Sequence, residues 1–274
     1  MRTITESEST PKADGFWMPG EYEEQERTWI LWPHRADVWR NGAKPAQKVF
    51  TQIIRTIARF QPVTVGVNEE DWANSWKAYY KPIKIGEKIV ICPAWERYTP
   101  AEGEIVIRMD PGMAFGTGTH ETTRLVIRLL EKYTKAGQLM LDVGTGTGIL
   151  AICASRLGAD FCRAYDIDPT AVRVARENIK DSGLGNITCE VSDLLRQADR
   201  SKPYDLICAN IVADIIIRMT PDVGKYMKDD AVLLASGIIA ERCDDVVACF
   251  EQNGFKVVEK LTDNDWCGLA VMKA

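Results

Sequence analysis

Gly144, Gly146 and Gly148 recur at alternate positions directly after an apolar run, Leu139 to Val143, that Asp142 interrupts. Glycines so placed let the backbone turn tightly with positive φ and let a ligand approach with no Cβ in the way. Asp166 lies 22 residues beyond Gly144, with Asp168 and Pro169 behind it. A carboxylate at that distance, at the tip of the next strand, is placed to hold ribose hydroxyls. The chemistry this set supports is the cradling of a nucleoside-bearing ligand. The bland alternative for the glycines is a plain strand-to-helix loop.

Three further groups are candidates. Asp110 to Thr123 reads DPGMAFGTGTHETT, a glycine-rich string carrying Thr119, His120, Thr122 and Thr123. Thr122 or Thr123 is expected to cap the helix that follows. Asp193 follows a short apolar strand, as a ligand-binding acid or as a solvated loop acid. Asn210 falls at the carboxyl end of a strand, where α/β sheets place their ligands.

The elements that must hold these residues follow from periodicity. Leu139 to Val143 suits a strand buried on both faces, and Ile149 to Leu157 turns helical. Phe161 to Ile167 reads as a second strand, and Pro169 to Lys180 as a helix that Pro169 starts well. Ile187 to Val191, Tyr204 to Ile211 and Ala231 to Gly237 read as further strands. Thr123 to Tyr133, Ile211 to Tyr226 and Glu241 to Asn253 read as helices. Lys256 to Leu261 and Trp266 to Met272 form a final hairpin. This alternation implies one parallel sheet with helices on both faces. Ahead of it, Trp72, Trp76, Tyr79 and Tyr80 suit a short helix, and Lys88 to Cys92 and Glu104 to Met109 suit strands. Near the front, Thr28 to Trp32, the amphipathic Ala46 to Phe60 and Val63 to Val67 make a βαβ-like unit. Residues 1–15 are polar and read as a disordered tail.

The spacing G-x-G-x-G, with Ile149 where a dinucleotide fingerprint needs its last glycine, argues against a nicotinamide-dependent oxidoreductase. With the upstream Asp142 it resembles the S-adenosylmethionine (SAM) methyltransferase superfamily. Glu69 to Tyr98 (EEDWANSWKAYYKPIKIGEKIVICPAWERY) and DPGMAFGTGTHETT resemble the PrmA family of bacterial ribosomal-protein methyltransferases, over residues 68–274. That resemblance implies an α/β, Rossmann-like class I fold with a seven-stranded, mostly parallel sheet. It implies SAM as cofactor, with Asp142, Gly144, Gly146, Gly148, Asp166 and Asn210 around it. Thr123 touches it, Thr119 and His120 lie near it, and Asp193 takes the adenine amino group. The implied acceptor is a large-subunit ribosomal protein, methylated at lysine or at the α-amine. The string MPGEYEEQERTWILWPHRADVW with ARFQPVTVGV resembles instead the front of agmatine deiminases. No deiminase function is carried over, because neither a complete propeller nor a late catalytic cysteine follows. His34, Trp29, Trp32 and Trp39 are accordingly read as packing residues. The expected organisation is a tail (1–15), a small deiminase-like α/β segment (16–67), a linker (68–108) and a methyltransferase domain (109–274).

Within that frame Asn210 is the candidate catalytic residue. Enzymes that methylate nucleic-acid amines carry [DN]-P-P-[YF] at this point, where the ring stacks on a flipped base. Here Asn210-Ile211-Val212-Ala213 keeps the amide and drops the ring. An aliphatic slot suits a lysine side chain better than a base.

Bulk properties set the remaining bounds. The chain has 274 residues and a net charge of −5, which speaks against wholesale nucleic-acid binding. No apolar run is long enough for a membrane span, and the amino terminus lacks the apolar core of a secretory leader. The eight cysteines form no C-x-x-C pair and read as reduced thiols of a cytoplasmic protein. With only two histidines, a metal site is not expected. A small-molecule methyltransferase, and a SAM-binding fusion product without substrate recognition, remain as alternative readings.

Overall fold

The computed structural model describes residues 28–31, 44–59, 63–66, 81–109, 118 and 120–274. The chain divides into two compact units, Met1–Tyr79 and Tyr80–Ala274. In the first, strand β1 (Thr28–Leu31) pairs in parallel with β2 (Val63–Gly66), and helix α1 (Lys44–Ile57) lies between them in sequence. This is the βαβ unit expected from the pattern. The tail, the aromatic stretch around Trp72 to Tyr80, and Trp32, His34 and Trp39 lie outside the described residues.

The second unit holds two sheets. The smaller has order β3 (Ile83–Ile85), β4 (Ile89–Pro93) and β5 (Ile105–Met109), with β3 antiparallel to β4 and β4 parallel to β5. Helix α2 (Glu121–Tyr133) grips its turn. The Glu131 carboxylate accepts the backbone N–H groups of Glu87, Lys88 and Ile89 at 2.7–2.9 Å.

The larger sheet comprises β6 (Leu139–Val143), β7 (Phe161–Asp166), β8 (Ile187–Val191), β9 (Tyr204–Asn210), β10 (Met227–Ile239), β11 (Phe255–Asp263) and β12 (Trp266–Lys273). Their order is β11-β12-β10-β9-β6-β7-β8. Only β12 runs against its neighbours, so the sheet is mostly parallel with the expected hairpin at one end. The connecting helices are α3 (Ile149–Arg156), α4 (Pro169–Asp181), α5 (Ala213–Val223) and α6 (Cys243–Gln252).

Strand alternation sorts the core into two layers. Met140, Leu206, Cys208 and Leu234 face α2, α3 and α4, through Val126, Ile152 and Val172 among others. Leu141, Val143, Ile207, Ala209 and Leu233 face α5 and α6, through Ile216, Met219, Val246 and Phe250. A strand covered on both faces needs apolar residues at every position, which is why β6 and β9 read as near-continuous apolar runs.

Most boundaries move by one to three residues, and two of the shifts have a visible cause. The expected helix from Ile211 starts only at Ala213, because the Ile211 N–H still donates to Ser236 O at 3.1 Å and prolongs the sheet ladder. Strand β10 begins at Met227 rather than Ala231. A register shift against β9 between Met227 and Val232 absorbs the exposed Asp229 and Asp230.

Candidate active site

The carboxyl ends of β6, β7 and β9 bring the candidates together, because β6 lies between the other two. Gly144, Gly146 and Gly148 have φ of 74°, 56° and 83°, values that an L side chain resists. A Cβ on Gly144 would sit 2.4 Å from Ile211 Cγ2. The turn is held from all sides by its own neighbourhood. Tyr165 O accepts the N–H groups of Gly144 and Thr145 at 2.8 and 2.9 Å. Asp166 Oδ2 accepts the Gly146 N–H at 2.9 Å, and Asp166 Oδ1 accepts the Asp168 N–H at 3.0 Å. Asn178 on α4 donates to Thr147 O at 2.9 Å. Asp168 in turn caps α4 through the Thr170 N–H, with Pro169 opening the helix. The carboxylate expected to serve a ribose is thus oriented by two backbone amides before any ligand arrives.

Asp142 is fully buried. Its Oδ2 accepts the Thr145 hydroxyl at 2.6 Å, and its Oδ1 has no hydrogen-bond partner. Burial pushes its pKa up to about 7, with the Asp166 charge adding to the rise, against the pull of the Thr145 hydroxyl and of the Ala151 backbone N–H in the first turn of α3.

On the other flank, Asn210 Nδ2 donates to Thr123 Oγ1 at 3.3 Å, across 87 residues of chain. Asn210 Oδ1 is buried and unpartnered. Thr123 is buried in the first turn of α2, and so is Thr122; neither is the cap that the sequence suggested. That cap is His120, whose Nδ1 accepts the Thr122 N–H at 3.3 Å. Its ring meets Trp266 edge-on at 5.0 Å, and this contact from β12 fixes a residue type that seldom caps helices. Gly118 is buried with φ 86°, where a Cβ would press on Ile91 and Ile149. Thr119 and the glycines at 112 and 116 lie outside the described residues.

The Asp193 carboxylate pairs with Arg196 at 3.1 Å and faces Arg218 at 3.6 Å. Pattern reading missed Gly237. Its φ is 83°, and a Cβ there would lie 2.3 Å from Ile211 O. Gly237 therefore lets the segment after Asn210 pass close against β10. A lone glycine at a strand end was its only signal.

Two buried acceptors without partners, Asp142 Oδ1 and Asn210 Oδ1, flank a glycine-rich turn, and an aligned carboxylate stands beside it. Unpaired buried oxygens are costly, so such an arrangement fits a ligand that brings donors. SAM, with its ammonium and hydroxyl groups, is such a ligand. Among the described residues no group of three or more His, Cys, Asp or Glu could hold a metal ion, and no helix is long and apolar enough to cross a membrane.

Sheet order, glycine turn and acid define the class: a Rossmann-like methyltransferase domain. The family model for ribosomal protein L11 methyltransferase (PrmA) matches residues 22–274. The ribosomal protein L11 methyltransferase of Caldanaerobacter subterraneus subsp. tengcongensis is 50% identical over 207 residues, covering 76% of this chain and 66% of that protein. The one from Clostridium perfringens (strain ATCC 13124) is 50% identical over 206 residues, covering 75% and 65%. A crystal structure of ribosomal protein L11 methylase from Lactobacillus delbrueckii subsp. bulgaricus superposes with a TM-score of 0.67 at 34% identity, covering 71% of this chain and 99% of that one. The chain belongs to the ribosomal protein L11 methyltransferase (PrmA) family. It spans just under two thirds of the length of these curated relatives.

Proposed function

We propose that the chain is a SAM-dependent N-methyltransferase whose acceptor is an amine of a protein, a lysine side chain or an α-amine, on ribosomal protein L11. The observation that carries this reading is the buried, unpartnered Asn210 Oδ1, with its amide held by Thr123, beside the glycine turn. In this reading Asp166 takes the ribose hydroxyls, and Asp142 and the turn of Gly144, Gly146 and Gly148 face the amino-acid end of the cofactor. Thr123, Thr119 and His120 line its cover, and Asp193 serves the adenine once it exchanges an arginine. Bound SAM supplies an electrophilic methyl group on a sulfonium.

The chain's own residues do the rest. Asn210 Oδ1 accepts a hydrogen bond from the entering amine and points its lone pair. Holding two reacting groups in line removes up to about 7–11 kcal/mol of barrier. A lysine amine has a pKa of about 10.4 in water, and burial beside a cation lowers it, so the amine sheds its proton on entering the slot. Ile211 and Val212 offer aliphatic walls and no ring for a base. Nucleic acid is therefore not proposed as an acceptor. A cytoplasmic setting belongs to the same proposal and is supported by the eight free cysteines. The deiminase-like stretch, residues 16–67, is given no deiminase role; the PrmA family match itself begins at residue 22.

The test is intact-mass spectrometry of purified ribosomal protein L11 after incubation with the full chain and SAM. Additions of one or more methyl groups at amines support the proposal. An unmodified protein, with methyl transfer found only in a metabolite panel or on nucleic-acid bases, would overturn it.

A further inference from the structure

Helix α6 opens at Cys243, strand β12 carries Cys267, and their Sγ atoms stand 2.6 Å apart. Two unbonded sulfurs keep farther apart than this, and a disulfide needs only about 2.05 Å. Both side chains are buried, with 2% and 0% exposure. The backbone holds them there. Ile238 is the register partner of Cys267 in the β10–β12 ladder, and one 3₁₀ turn, Ala240–Arg242, leads from β10 into α6. Lys260 on β11 reaches the same region, where its ammonium pairs with Asp244 at 3.8 Å. Burial, and then the bond to Cys243, push the Cys267 thiol up to about 12. Cys243, at the opening of α6, is the sulfur nearer solvent.

We propose that Cys243 and Cys267 are a redox modification site, closing to a reversible intrachain disulfide on exposure to a peroxide. The Cys243 thiol gives up its proton as its sulfur attacks one peroxide oxygen, and the O–O bond breaks. The departing hydroxide takes up the proton that Cys243 lost and leaves as water, with a sulfenic acid on Cys243. The Cys267 sulfur then attacks the Cys243 sulfur. The S–S bond forms, the S–O bond breaks, and a second water leaves with the Cys267 proton. Two thiols are oxidised by two electrons, and one hydrogen peroxide becomes two waters. A bond made and broken in this way fits a protein that otherwise keeps its thiols reduced.

The pair also touches the supports of the candidate site. Ser236 Oγ donates to Cys267 O at 2.9 Å, while Ser236 O accepts the Ile211 N–H beside Asn210. Trp266, one residue before Cys267, meets the ring of His120, the cap of the helix that bears Thr123. Closing the bond moves the sulfurs by only about half an ångström towards disulfide length. The disulfide therefore acts as a strap on these supports and leaves their geometry in place.

The test treats the reduced full chain with graded hydrogen peroxide, alkylates remaining thiols in denaturant, and maps the peptides. The expected product joins the Cys243 and Cys267 peptides with the loss of two hydrogens, and dithiothreitol reverses it. The melting temperature rises by about 5 °C on oxidation. Cys243→Ser and Cys267→Ala each abolish the link and the rise. Free alkylation of both thiols after peroxide, pairing of either with another cysteine, conversion of Cys243 to a sulfinic acid, or a link without the rise in melting temperature each overturns the proposal. The wild-type peptide map decides the matter even if a variant fails to fold.

Discussion

Asp166 closes β7 and Asn210 closes β9, the two strands that flank β6. Both sit at the same edge of one sheet, yet they are built in opposite ways. Asp166 is set by its own neighbourhood: each oxygen accepts an amide, one from Asp168 and one from Gly146. Asn210 is set by distant parts. Its amide rests on Thr123 from α2, and the segment after it threads between Gly144 and Gly237. The carboxylate is complete before a ligand comes, while the amide keeps a buried acceptor open. The first arrangement suits binding of an invariant cofactor, and the second suits orientation of an entering reactant.

Substitutions sharpen or break that contrast. The largest expected effect is on turnover. Asn210→Ala should lower kcat by about 100-fold, the cost of a reactant held out of line, with the KM for SAM unchanged. Radiometric methyl transfer to ribosomal protein L11 measures both. Asp166→Ala should act the other way round, raising the KM for SAM by about 30-fold and leaving kcat within a few fold, since it removes charge-assisted bonds worth about 1.5–3 kcal/mol each. A fall in kcat alone for Asp166→Ala would erase the distinction.

Gly237→Ala tests the threading. An added Cβ meets the Ile211 carbonyl and must adopt positive φ, so it should lower the melting temperature by about 5 °C and kcat by about tenfold. Thermal unfolding with steady-state kinetics separates the two losses.

Asp142 gives the smallest effect, seen in pH. Its pKa is raised to about 7 in the fold, above the unfolded value of 3.8. Between those values the folded state holds a proton that the unfolded state has lost. The stabilisation is therefore complete below pH 3.8 and disappears as pH rises through 7. Asp142→Asn keeps an acceptor for Thr145 and cannot titrate. Its melting temperature without ligand should gain on the wild type from pH 5 to about pH 7 and the gap should level off above that. A gap independent of pH would show that Asp142 stays ionised throughout.

What could be read from the sequence follows the same division. The β6 strand, the glycine turn, Asp166 and the final hairpin are local patterns, and each falls where periodicity and spacing put it. The His120 cap was not legible, because Trp266 supports it from 146 residues away. The role of Gly237 depends on the Ile211 backbone carbonyl, in the segment that follows β9. The short β3 was missed since three residues carry too little periodicity to stand out. Asp193 shows the opposite limit: its position was readable, but its arginine partners on the following loop and on α5 were not.

The most direct test of the account is calorimetric titration of SAM into the full chain carrying Asp166→Ala and, separately, Asn210→Ala. The account predicts binding weakened by at least tenfold in the first and wild-type affinity in the second. Equal loss in both, or a loss confined to Asn210→Ala, would contradict the division of labour between the two strand ends.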